Sequence, residues 1–417
     1  MKQNVAIMDF GTSKITVLIG SRGRNNSICI DGVGICEYDG FCGGTWLGAG
    51  DPVPFAERAI KLAEDRANAD ISKLYIGVPG DFSACYVNEV SMALNKRRKI
   101  TALDVEALQE QGNEYDGLDG CKVINIEPIY YTLDDGHKLI APVGIASTKL
   151  GGSISYILAD VGFIETASAA ANSAGIADVE FVSQPLAQTL FLFDGFRRDK
   201  CVMLADVGAL CTTIAIGRGD GLCRQYYFPW GGDRITVALS VGLVIPYEEA
   251  DELKRKAVLS LDPDYKEPPP PPDPSGRDKK PLFPNGTKII QTEYEIEINN
   301  ERHVYPVAKT NEIIKNELKK LVMYVEKTLK LCDYKYPAYT PLSVTGGGIN
   351  HIRGAAEFVA SELGRDVETV KTSLPMPELD RPEHSSALGL MDMVLSSVDT
   401  DVSVVDKFKR WLNRKRG

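Results

Sequence analysis

Apolar and polar positions follow strand periodicity at the start of the chain and again near its middle. Residues 5–20 read as an apolar run, an Asp, a Gly-bearing turn and a second apolar run ending in Gly. Residues 202–217 repeat that pattern, with Asp206 at the place of Asp9, Gly208 of Gly11 and Gly217 of Gly20. Each copy predicts a strand–turn–strand hairpin with a carboxylate at the strand end. Two copies of equal length argue for a duplicated core.

Elsewhere the period changes. Phe55, Ala59, Leu62, Ala63 and Arg66 recur at helical spacing and predict a helix over 54–67, followed by a strand at 74–78. Residues 81–160 read as a separate small unit with strands at 84–91, 123–126, 129–133 and 154–160 and a helix after Thr101. Thr101 and Asp104 form a capping box with Asp at the usual Glu position. A helix over 163–174 follows. In the second half, strands are expected at 292–298 and 342–344 and helices at 311–331 and 355–363. Ile313, Ile314, Leu318, Leu321, Val322, Val325 and Leu329 share one face of the longer helix. Strands alternating with helices imply an α/β protein. Between them, 259–288 reads as an insertion. Its five prolines at 268–272 cannot enter a helix or sheet interior and make a stiff exposed loop, either a surface linker or a polyproline ligand.

Composition narrows the class. The 417 residues are 44% hydrophobic and 25% charged, which is ordinary for a globular protein of two or more domains. No apolar run is long enough to span a bilayer, and no secretion signal is expected. Nine cysteines without CxxC pairing suggest reduced thiols, and four histidines without ligand spacing make zinc chemistry an unpromising reading. The net charge of −10 is uneven: residues 402–417 hold six Lys/Arg against one Asp. An acidic body argues against nucleic acid, and a basic tip points to an acidic surface.

Candidate chemistry collects at the Gly turns. Gly11, Thr12, Ser13 and Lys14 offer backbone N–H groups, hydroxyls and an ammonium, the groups a phosphate chain needs. The spacing is not that of a P-loop. Asp9 would hold Mg2+ through water. Gly208 follows Asp206 in the second copy, Gly231 and Gly232 follow another strand, and Gly346, Gly347 and Gly348 follow a third. Bare glycine backbone can lie flat against a ligand.

These segments, in this order, resemble the actin and sugar-kinase superfamily, and within it the FtsA family of bacterial cell-division proteins. The resemblance covers nearly the whole chain. It rests on the first loop at 9–15, on 100–105 and 141–144 within the inserted unit, on 184–187, 228–236 and 250–254, on the Gly turn at 345–348, and on 382–390. It implies an actin-like two-lobed fold with duplicated ribonuclease-H-like cores and a small inserted α+β subdomain. The implied division is a first-lobe core at 1–80, completed by 161–199 and 375–395, with the inserted subdomain at 81–160. The second-lobe core is 200–243, completed by 328–374, under an upper subdomain at 244–327. The resemblance further implies ATP and Mg2+ in the cleft, with Asp9 and Asp206 flanking the metal and Asp251 and Lys254 near the ribose and base. Gln184 falls where the superfamily orients the attacking water, and it reads equally as a neighbour of a helix N-cap. The family's second loop is glycine-rich, whereas this chain has Ala209, Leu210 and Cys211 there, with Thr213 in place of a carboxylate. Side chains at Ala209 and Leu210 are expected to crowd a phosphate, so hydrolysis should be slow or absent.

The implied partners are the tail of the tubulin-like FtsZ, further copies of the chain in a filament, anionic lipids and other division proteins, at the cytoplasmic face of the cell membrane. Residues 402–417, behind a polar tether at 396–401, carry Val404, Val405, Phe408, Trp411 and Leu412 on one helical face. Lys407, Lys409, Arg410 and Arg414 lie on the others. That is the pattern of an interfacial membrane helix. At about 1 kcal/mol per Lys/Arg near an anionic leaflet, its charge alone favours binding. A pilus-assembly protein of the same fold, a metabolic kinase of the superfamily and a paralogue that binds nucleotide without turnover are the other readings.

Overall fold

In a computed structural model, the structure describes residues 4–23, 27–48, 51–115, 117–259, 292–370 and 379–399. The proline run at 268–272 and the basic segment at 402–417 lie outside them.

The two repeated segments fold alike. β1 (Val5–Phe10) pairs antiparallel with β2 (Lys14–Arg22), placing Asp9 opposite Thr16. Further on, Asp206 stands opposite Thr213 in the same register. The first sheet also takes in β3 (Ile28–Glu37), and a small ribbon follows, β4 (Phe41–Cys42) with β5 (Thr45–Trp46). Then come α1 (Val53–Ala67) and β6 (Lys73–Val78). The face α1 buries is Ala56, Ala59, Ile60 and Ala63, a few residues round from the predicted stripe. Arg66 is on the rim, where its guanidinium donates to the carbonyl of Val33.

The inserted unit is a sheet of its own, in the order β7-β10-β8-β9. It comprises β7 (Ser83–Lys99), α2 (Ala102–Gln111), β8 (Cys121–Thr132), β9 (Lys138–Leu139) and β10 (Ala146–Asp160). The capping box forms: Thr101 Oγ1 accepts from Asp104 N at 3.3 Å and Asp104 Oδ2 accepts from Thr101 N at 2.8 Å. Arg98 adds a bidentate pair at 2.6 and 2.7 Å, which holds the Asp104 carboxyl well below its usual range. The strands exceed expectation. β8 runs unbroken through Pro128, opposite Ile154 at a register shift, because β9 reaches only Tyr131 and Thr132 and leaves no partner there for the missing N–H.

The chain then returns to the first sheet through α3 (Val161–Ser173), β11 (Asp178–Ser183), α4 (Gln184–Leu192) and the short α5 (Gly195–Lys200). The order is β11-β6-β1-β2-β3. The second lobe begins with β12 (Val202–Val207), β13 (Thr212–Arg218) and β14 (Gly221–Phe228). It continues with α6 (Asp233–Leu243), α7 (Tyr247–Lys256), β15 (Glu293–Ile298), β16 (Glu301–Pro306) and α8 (Val307–Leu331). It closes with β17 (Leu342–Thr345), α9 (Ala355–Leu363) and β18 (Val367–Thr369). Its sheet order, β14-β13-β12-β17-β18, is that of the first sheet element for element.

The last helix, α10 (Ser385–Asp399), packs against α4 and the first sheet. It continues through residues 396–399, read from sequence as part of a tether, because Val394, Leu395 and Val398 prolong its apolar face. Among the described residues no helix is long and apolar enough to cross a membrane.

Candidate nucleotide cleft between the lobes

Both repeated hairpins aim their turns at a cleft of about 680 Å³ between the lobes. Asp9, Gly11, Thr12, Ser13, Lys14 and Gln184 line it from one side. Asp206, Gly208, Gly232, Asp251, Lys254 and the Gly346–Gly348 turn line it from the other. Of the predicted site residues within the described chain, only Gly231 is absent from the lining. A second concavity, about 590 Å³ beside α1 and the end of α3, contains none of them.

The two carboxylates form the floor. Asp9 is 7% exposed and accepts a hydrogen bond from Ser386 Oγ at 2.6 Å. Burial pushes its pKa up to about 6, and the nearby Asp206 adds to the shift. Asp206 is raised by burial as well, partly offset by Gln188 Nε2, which donates to Oδ2 at 3.0 Å. Gln188 also donates to Ser385 Oγ at 2.8 Å, and Ser385 bonds Thr345 at 2.9 Å. Each carboxylate is therefore fixed by a side chain of the helix pair α4 and α10. Sequence reasoning missed Gln188, Ser385 and Ser386. One signal existed: Gln188 lies one helical turn beyond Gln184, on the same face. Gln184 itself spans two strands, with Nε2 donating to the carbonyls of Phe10 at 3.1 Å and Gly77 at 3.4 Å. The cap of α4 is Ser183, whose Oγ accepts from Leu186 N.

The hairpin turns are equivalent and directly joined. Gly11 N donates to Lys14 O at 3.0 Å, and Gly208 N donates to Cys211 O at 2.9 Å. Cys211 thus occupies the position of Lys14. Its thiol donates to Asp81 at 3.3 Å, and burial with that carboxylate beside it pushes the thiol far above its usual pKa. Thr12 Oγ1 accepts from the N–H groups of Ala209 at 3.1 Å and Leu210 at 3.2 Å, so the first loop's hydroxyl sits on the second loop's amides. Tyr38 closes the rim, its hydroxyl donating to Gly11 O at 2.7 Å. The expected crowding is only half present. Ala209 borders the cleft, whereas the Leu210 side chain reaches toward Gly40 of the first lobe.

The glycines also let the turns pack closely on one another. A Cβ on Gly231 would come 2.3 Å from Ala209 O, on Gly232 2.3 Å from Gly348 O, and on Gly348 2.5 Å from Gly208 O. Their bareness lets three turns stack backbone on backbone. Gly346, at φ +85°, leaves room for the Asp206 carboxylate, 2.3 Å from where its Cβ would be. Gly231→Ala should therefore push the Ala209–Leu210 backbone away. The expected cost is about 1–3 kcal/mol in thermal unfolding, the range for an overpacked site.

The remaining charges pair off. Lys254 is buried and bonds Asp251 and Thr236, each at 2.7 Å. Burial pushes the Asp251 carboxyl up, but Lys254 and Arg255 outweigh it and hold it below its usual range. Glu383, which the sequence did not single out, faces Lys14 at 3.8 Å and accepts from His351 Nε2 at 2.9 Å.

Two repeated α/β lobes, with carboxylate-bearing hairpins opposed across a cleft and an inserted unit in the first, define the actin-like class. Solved structures agree on the fold. The chain matches one titled as a PilM–PilN type IV pilus biogenesis complex at a TM-score of 0.59, with 15% identity over 94% of this chain and 98% of that one. It matches MreB5 of Spiroplasma citri bound to AMPPNP at 0.51, with 10% identity over 96% and 98%. Within that class the chain is similar to FtsA: a family model described as cell division protein FtsA matches residues 203–389. Cell division protein FtsA of Buchnera aphidicola subsp. Schizaphis graminum is 20% identical over 391 residues, 92% of this chain and 89% of that protein.

Proposed function

We propose that this actin-like cell-division protein binds ATP with Mg2+ in the interlobe cleft and acts as a membrane-tethered scaffold for the FtsZ ring. The observation that carries the reading is the convergence of the two repeated Asp–Gly hairpins, with Lys14, on one cavity. The donor set fits a hydrated Mg2+. Asp9 and Asp206 are carboxylates whose pKa values burial raises, so a cation beside them would favour their charged forms. Among the described residues no group of three His, Cys, Asp or Glu gathers, so the ion would keep most of its water. When bound, it would offset phosphate charge. Lys14 would neutralise phosphate oxygens, and Ser386 and Gln188 would keep the two carboxylates in place. Asp251 and Lys254 would approach the ribose and base.

Slow turnover follows from two features. The Gln184 amide nitrogen is committed to backbone carbonyls, and Thr213 supplies no carboxylate. The upper part of the second lobe, 244–327, would take the FtsZ tail. Copies would associate into a filament, and 402–417 would lie on the membrane at the division site.

The test is sedimentation with anionic vesicles and Mg–ATP, with and without an FtsZ tail peptide. Vesicles should bring down the protein, and the peptide with it. Absence of both, with phosphoryl transfer to a sugar instead, would establish the kinase reading.

A further inference from the structure

The cleft is built more for a cation than for a bare anion. Lys14, Lys254 and Arg255 face a larger set of carboxylates that includes Asp9, Asp81, Asp206 and Glu383. Asp251 already engages Lys254 and Arg255, which leaves Lys14 as the cation nearest the hairpin turns. Its ammonium leans on Glu383, 3.8 Å away.

Glu383 is held where it stands. It lies in the 3-10 turn Pro382–His384 ahead of α10. That turn is fastened to the third Gly turn, since Gly346 N and Thr345 Oγ1 both donate to Pro382 O at 3.3 Å. The Glu383 Cβ is 3.2 Å from where a Cβ of Gly347 would sit, so the side chain rises beside that turn. His351 Nε2 donates to the other carboxylate oxygen at 2.9 Å. The His351 bond, against burial and with help from Lys14, holds its pKa down to about 2, so the group is ionised at neutral pH.

A polyphosphate entering between Lys14 and the Gly turns must share the lysine with this fixed negative charge. We propose that Glu383 makes nucleotide uptake cation-dependent, repelling a free nucleotide and admitting its divalent-metal complex. This rests on the nucleotide reading of the cleft. Glu383 is a specificity residue here: it selects the metal-bound form of the ligand. A single charge at such range, in a partly screened site, is worth about tenfold in affinity.

The experiment is calorimetric titration of ADP and ATP into the full chain, once in excess Mg2+ and once in EDTA. It is run on wild type, Glu383→Gln and Glu383→Asp. Wild type should bind more tightly with Mg2+. Glu383→Gln should bind the metal-free nucleotide about tenfold more tightly than wild type, shrinking the Mg2+ ratio by that factor. Glu383→Asp retains the charge and should keep the wild-type ratio, and circular dichroism confirms that each variant is folded. An unchanged ratio in Glu383→Gln, or weaker binding in both conditions, overturns the role of Glu383 while the nucleotide reading stands. No binding by wild type in either condition overturns both.

Discussion

Asp9→Asn should stabilise the ligand-free protein at pH 7.5 while removing its response to Mg–nucleotide. The wild-type carboxyl titrates near 6 in the folded chain against 3.8 for an ordinary Asp, because burial beside Asp206 disfavours its charge. A raised carboxyl pKa costs stability where the group must ionise. The cost is absent below about 3.8, grows between 3.8 and 6, and is complete above 6. Two units correspond to about 3 kcal/mol, at about 1.4 kcal/mol per unit. Asparagine keeps an oxygen for the Ser386 hydroxyl and carries no charge. Its melting temperature should exceed wild type by several degrees at pH 7.5, and the gap should close as the pH falls toward 4. Binding should move the other way. Loss of a metal-facing carboxylate is expected to weaken Mg–nucleotide affinity by on the order of 100-fold, the upper range for a group supporting a metal site. Equal affinities would place the ligand elsewhere. Equal melting curves across pH would mean Asp9 is not ionised at cost.

Removing residues 402–417 should abolish sedimentation with anionic vesicles. The deletion takes away six Lys/Arg and one Asp, together with Val404, Val405, Phe408, Trp411 and Leu412. Basic charge near an anionic leaflet contributes about 1 kcal/mol per residue, and each large apolar side chain buried adds about 1.5–3 kcal/mol. What remains is more acidic than the whole chain and should be repelled by the same lipids. Binding of the intact chain should weaken with salt, since the Debye length shrinks from about 10 Å at 0.1 M to about 3 Å at 1 M. Filament formation would amplify the contrast through avidity. Vesicle binding retained by the truncated chain would remove the tether from the proposed function.

Much of the frame was legible because local chemistry and fold agree. The repeated apolar–Asp–Gly pattern needed a hairpin in each copy, and both hairpins form in the same register. The Thr101–Asp104 box marked the start of α2, and the helix at 355–363 was read to its bounds. Strand length was harder. Pro128 breaks the pattern in sequence, yet β8 runs through it, because no neighbouring strand needs its N–H; β10 extends through Gly151 and Gly152 because β7 and β8 pair with it on both sides there. The packing role of individual glycines was not legible either, since a missing Cβ looks the same whether a ligand or another turn lies above it.

The site's supporting residues were not legible for a simple reason of distance. Ser386 meets Asp9 across 377 positions, and Thr12 meets Ala209 across 197. No local period encodes such a meeting. The sequence by itself determined that there are two similar hairpins, each ending in a carboxylate, and that the first keeps a lysine where the second has a cysteine. Tertiary structure alone decided that the two carboxylates share one floor, that α4 and α10 hold them with Gln188 and Ser386, and that Glu383 stands against Lys14. Backbone pattern is set by neighbours a few residues apart, whereas a charge environment is set by whatever the folded chain brings within a few ångströms.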